Sequence, residues 1–146
     1  MSSADDLVED LSEAGLTSKW GERGDPKWVR IWVRDRWSCV YCNEGLLNHL
    51  IGMFSAQVDH LLPKSRYPEY ADTEANYVLS CYCCNQIKRD FDPLNVRPEL
   101  KEAALDMCRD ALIEVCRQYI DERLEKKRKI LKESRAIVDR YLAPHS

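Results

Sequence analysis

The chain has 146 residues, 45% of them hydrophobic, which is enough for one domain with a modest core. Its formal charge of −3 excludes a protein held on nucleic acid by bulk positive charge, so any such contact must be local, metal-assisted or partner-assisted. No apolar run approaches the roughly 20 residues of a membrane-spanning helix and no secretion signal opens the chain, so the expectation is a soluble, cytoplasmic protein without membrane contact.

Residues 1–14 carry Asp5, Asp6, Glu9, Asp10 and Glu13 without Lys or Arg, and the rest of the chain is slightly basic. Residues 4–14 read as a short acidic helix closed by Gly15, and Thr17 to Asp25 as a connection. Asp25 before Pro26 is a helix start, with Trp28, Ile31, Trp32 and Val33 as a partial apolar stripe running to about Trp37. Trp28, Trp32 and Trp37 with Arg30, Arg34 and Arg36 fit either of two readings: an aromatic and basic nucleic-acid surface, or tryptophan packing with arginines in water.

From Cys39 to Cys84 the pattern breaks into short pieces at Gly52, Pro63 and Pro68. Ala56 to Leu62 and Tyr77 to Ser80 read as strands, and Cys84 to about Asp90 as a helix. Residues 99–143 lack Gly and Pro, and Leu105, Cys108, Leu112, Val115 and Tyr119 recur at helical spacing. That segment is one long helix or two in series, with a bend or hairpin near 125–129. Its apolar surplus suggests a homodimer or partner protein on the C-terminal helices.

Seven cysteines without a secretion signal point to metal ligation rather than disulfides. Cys39-Val40-Tyr41-Cys42 and Cys81-Tyr82-Cys83-Cys84 are two C-x-x-C knuckles separated by 38 residues. Such a layout brings four thiolates around one ion, and zinc is the natural occupant of a fully ligated, structural site. The spacing selects Cys39, Cys42, Cys81 and Cys84 over Cys83, and Cys108 and Cys116 belong to helix packing.

Between and after the knuckles stand Val58-Asp59-His60-Leu61-Leu62-Pro63, then Asn76, then Cys84-Asn85-Gln86-Ile87-Lys88. In this order the chain resembles the HNH endonuclease family over about residues 28–93. The resemblance implies an α+β fold: a ββα-metal core on a treble-clef-like zinc scaffold, with N-terminal helices and a long helical C-terminal extension. The divisions expected are 1–24 as an acidic segment, 25–95 as the HNH nuclease domain and 96–146 as the extension.

The resemblance also implies a site of Asp59, His60, Asn76 and Asn85. His60 would be the general base, since histidine has about the right unperturbed pKa to deprotonate water near neutral pH. Asp59 and the Asn85 oxygen would hold Mg²⁺ or Mn²⁺, and Asn76 would orient the loop bearing His60. Adjacent strand residues face opposite ways, so Asp59 and His60 can share one site only if the strand ends or bulges there.

Lys88, Lys64 and Arg66 are the candidate phosphate contacts, whereas Lys126 to Lys129 read as a solvated helix face. The activity implied is metal-dependent cleavage of nucleic acid, DNA favoured, in a restriction or phage-defence setting. The alternative is a catalytically silent, zinc-stabilised module that binds nucleic acid or protein.

Overall fold

The structure, a computed structural model, describes residues 4–16 and 26–143. The connection read from Thr17 to Asp25, with its capping aspartate, lies outside the described residues. Helix α1 (Ala4–Glu13) ends as its sequence predicts: Gly15 takes φ +71°, and Leu16 N–H closes back onto Leu11 O at 2.8 Å.

Helix α2 (Pro26–Arg34) stops three residues short of the expected end. Arg36 and Trp37 both adopt left-handed backbone, and Trp37 N–H reaches back to Trp32 O at 3.0 Å. This terminator carries no glycine, so no sequence signal announced it. The first knuckle follows, and its turn closes through Asn43 at φ +65°, with Asn43 N–H on Cys39 O and Cys39 N–H on Glu44 O.

A short helix, α3 (Leu50–Ser55), precedes strand β1 (Gln57–His60), which pairs antiparallel with β2 (Tyr77–Ser80) in the register His60 opposite Tyr77. Helix α4 (Tyr82–Lys88) starts two residues before the expected position because Cys81 caps it, its Sγ accepting from Cys84 N–H at 3.3 Å. The chain ends in α5 (Leu105–Leu142), one continuous helix of 38 residues, so a hairpin at 125–129 is ruled out.

All four β2 residues are buried, and their alternation splits the interior. Val78 joins Leu61, Leu62, Leu94, Leu112, Cys116 and Ile120, whereas Tyr77 and Leu79 join Ile31, Trp32 and Leu46. The first half of α5 thus packs into the same core as the knuckles and Val78 of β2. From Glu125 onward α5 is exposed on every face.

The β2 edge away from β1 is closed by other parts of the chain. Val40 N–H donates to Leu79 O at 3.0 Å, and Leu79 N–H donates to Asp35 Oδ2 at 2.8 Å. The Asp35 side chain, 2% exposed, also takes Arg109 Nη2 at 2.9 Å and Arg34 Nε at 3.0 Å, which joins α2, β2 and α5 through one buried carboxylate. Among the described residues no helix is long and apolar enough to cross a membrane.

Candidate metal centre and hydrolytic site

The two knuckles meet. The Sγ atoms of Cys39, Cys42, Cys81 and Cys84 all lie within 4.8 Å of one another, and Cys42 Sγ is 3.8 Å from Cys81 Sγ. A tetrahedral zinc with Zn–S near 2.3 Å requires S···S separations of about 3.8 Å. The residues present therefore fit a four-thiolate zinc ion.

Protons are unevenly shared in this cluster. Cys42 is lowered to about 7, first by hydrogen bonding with Cys39. Cys81 also falls to about 7, because hydrogen bonds with Cys42 and Cys84 outweigh the opposing effect of Cys39. Cys84 is pushed up by hydrogen bonding with Cys39, Cys42 and Cys81. Cys83 is exposed and outside the cluster, and Cys108 and Cys116 are buried in the core, where desolvation raises Cys116 to about 12.

His60 ends β1, and its ring sits 5.0 Å from that of its cross-strand partner Tyr77. Its Nε2 lies 2.9 Å from Ala71 O. A carbonyl oxygen only accepts, so Nε2 carries the proton and the neutral ring keeps its lone pair on Nδ1. The imidazole lines a cleft of about 610 Å³ with Lys27, Trp28, Lys64, Asp72 and Tyr77 among its other walls.

Asp59 faces elsewhere. Its side chain, 10% exposed, takes Lys88 Nζ at 3.0 Å and Tyr41 O–H at 2.9 Å, both on Oδ2. Burial and the neighbouring Asp59 charge push the Tyr41 phenol well above its ordinary range, so it stays a donor.

Asn85 lies one turn before Lys88 on α4, and its side chain makes no hydrogen bond among the described residues.

Lys88 corrects one expectation. Its side chain is 0% exposed, and Nζ bridges Asp59 Oδ2 and, at 2.9 Å, His60 O. It lies on the inward face of α4 and has no route to a phosphate; it ties both residues of the Asp-His pair to the helix. Arg66 remains 56% exposed while bonded to buried Asp92 at 3.2 Å, and Lys64 is exposed at the cleft.

Asn76 is fully buried and binds backbone on both sides of the segment it closes. Its Oδ1 accepts Leu62 N–H at 2.8 Å, and its Nδ2 donates to Leu62 O at 3.0 Å and Tyr70 O at 3.3 Å. Leu62 stands two residues after His60 and Tyr70 one before Ala71, so Asn76 ties together the backbone next to both partners of the His60–Ala71 hydrogen bond.

The structure adds residues the sequence did not single out: Tyr41 on Asp59, the Ala71 carbonyl on His60, and Phe54 at the cleft. Only Tyr41, inside the first knuckle, had a motif to draw attention to it. Of the helix α2 cations, Arg30 pairs with Glu74 at 2.9 Å and Arg34 with Asp35. Trp32 is buried, while Trp28 lies at the cleft wall.

No curated protein matches the chain. Residues 39–91 match the family model described as HNH endonuclease, a span that begins at the first zinc-site cysteine and includes Asp59, His60, Asn76 and Asn85.

Proposed function

We propose that the HNH domain at residues 39–91 is a working nuclease, which hydrolyses phosphodiester bonds of DNA with a divalent ion and His60 as general base. The observation that carries this reading is the Nε2–H of His60 pinned on Ala71 O, which fixes Nδ1 as the basic nitrogen of a ring lining an open cleft. Nδ1 accepts a proton from water as that water attacks phosphorus, and Ala71 O stabilises the imidazolium that forms.

Asp59, paired with Lys88, and Asn85 would hold Mg²⁺ or Mn²⁺, which when bound would neutralise charge growing on the phosphate and the departing 3′-oxygen. Tyr41 and Lys88 fix the Asp59 carboxylate, Asn76 holds the loop that carries Ala71, and Lys64 attracts the substrate phosphate. The four-cysteine site holds zinc and locks the knuckles together; it takes no part in the chemistry.

Zinc-loaded wild type, His60→Ala and Asp59→Ala should be incubated with plasmid and single-stranded DNA, with and without added Mg²⁺ or Mn²⁺. Cleavage that needs added ion and is lost in both variants supports the reading. Equal cleavage by all three, or a folded, zinc-loaded wild type silent with every substrate and ion, would favour the silent binding module.

The exposed half of α5 supports a second proposal, pairing with another copy of the chain. Leu124, Leu131 and Val138 recur every seven residues, flanked by Ile130, Ile137, Tyr141 and Leu142. The six from Ile130 to Leu142 are 49% to 73% exposed. Together they leave on the order of 700 Å² per chain, near the roughly 800 Å² per partner of a standard interface. Light scattering should give a dimer that Leu131→Lys with Val138→Lys converts to monomer; a wild-type monomer refutes the pairing.

A further inference from the structure

Helix α3 carries an apolar surface that the proposed chemistry leaves unused. Leu50, Ile51 and Phe54 are 74%, 78% and 69% exposed, at positions that share one side of the helix. Such a patch marks a contact surface. It is held firmly: His49 caps the helix, its Nδ1 accepting Gly52 N–H at 2.9 Å. Gly52 packs so closely that an added Cβ would lie 2.7 Å from the His49 ring.

The patch is continuous with the hydrolytic cleft. Met53 and Phe54 share its wall with His60 and Lys64, and α3 runs through Ala56 directly into β1. A nucleotide entering this cleft toward His60 has Phe54 in its wall. Apolar and aromatic walls with lysines suit bases attached to phosphates, and a cleft of about 610 Å³ has room for a nucleotide.

We propose that α3 is a base-contacting wedge, and that the preferred substrate is a strand unpaired or unstacked at the cut, with one nucleotide seated in the cleft against Phe54. Apolar side chains that insert between bases in this way are an established means of opening a stack, and aromatic rings hold single-stranded bases. The inference rests on the nuclease reading for its substrate, and its test is one of binding.

Full-length, zinc-loaded His60→Ala protein, in which cleavage is suppressed, should be titrated against a labelled oligonucleotide. Three forms serve as probes: single strand, perfect duplex, and the same duplex with a short central bubble containing 2-aminopurine. The unpaired forms should bind on the order of tenfold tighter than the perfect duplex, and Phe54→Ala should remove most of that preference while Phe54→Trp keeps it. Quenching of 2-aminopurine should likewise require an aromatic residue at position 54.

Equal affinity for bubble and perfect duplex, no binding to any form, or indifference to Phe54→Ala would overturn the wedge. So would light scattering in which Phe54→Ala breaks up an assembly of copies, since the patch would then be a protein interface. Phe54-dependent binding by a wild type that never cleaves defeats the nuclease reading alone; normal cleavage with binding indifferent to Phe54 defeats the wedge alone.

Discussion

Replacing Asn76 by alanine should damage stability and activity together, and the structure gives the scale. The amide is fully buried and satisfies both Leu62 N–H and Leu62 O. Each buried backbone group left without a partner costs about 1–3 kcal/mol, so about 2–4 kcal/mol is expected after local relaxation. For a chain of this size that lowers Tm by roughly 5–15 °C in a thermal melt followed by circular dichroism.

Below the new Tm, kcat should fall by an order of magnitude or more with little change in KM, because the Ala71 carbonyl that orients His60 loses its anchor. Asn76→Asp sharpens the test: it keeps the acceptor for Leu62 N–H but aims a buried carboxylate at two carbonyl oxygens, Leu62 O and Tyr70 O. It should therefore be no more stable than the alanine variant. An aspartate variant as stable as wild type, or an alanine variant within about 0.5 kcal/mol of it, would refute the reasoning, since surface substitutions behave that way.

Further outcomes follow from the same contacts. Lys88→Met leaves Asp59 largely buried beside Tyr41 without its cation and should cost about 3–5 kcal/mol in urea unfolding, with loss of cleavage; an unchanged midpoint would contradict the buried bridge. Removal of zinc by a strong chelator, or Cys42→Ser, should abolish the cooperative melt, since an ion held by the four cysteines would join segments 38 residues apart; native-like melting of the apo chain would contradict this.

Tyr67 donates to Asp92 at 2.7 Å and, through desolvation first and then Asp92, ionises at about 12 instead of 10.0. A raised folded-state pKa means that this contribution to stability is full below pH 10 and lost as pH rises toward 12. Tyr67→Phe should remove that alkaline loss, and an unchanged pH profile of Tm would show that the bond contributes nothing.

The metal centre was legible because the chemistry is written locally: each knuckle contributes its sulfurs from one turn, and only four of the seven cysteines have the spacing. Both strands were found from their apolar content. The end of α2 was overestimated because Arg36 and Trp37 take left-handed backbone without glycine, and the start of α4 was missed because a cysteine sulfur does the capping.

Helix α3 escaped notice because six residues are too few for periodicity and its apolar side chains are exposed rather than patterned against a core. Lys88 was misread for a related reason. Helical spacing places it near Asn85 but does not tell which side of the helix meets β1, and only the fold shows a lysine sealed against Asp59. The Asp35 carboxylate joining α2, β2 and α5 depends on Arg109, 74 residues away, a distance no local pattern spans.

The most direct test of the hydrolytic account is the single-turnover cleavage rate of a defined bubble-containing oligonucleotide by zinc-loaded wild type, His60→Ala and His60→Gly in Mg²⁺ or Mn²⁺. With His60 as the base, both variants should lose roughly 10²–10⁴-fold in rate, and added imidazole should restore part of it to His60→Gly while leaving wild type unchanged. Variants that cleave at the wild-type rate, with correct zinc content and melting temperature, would contradict the account.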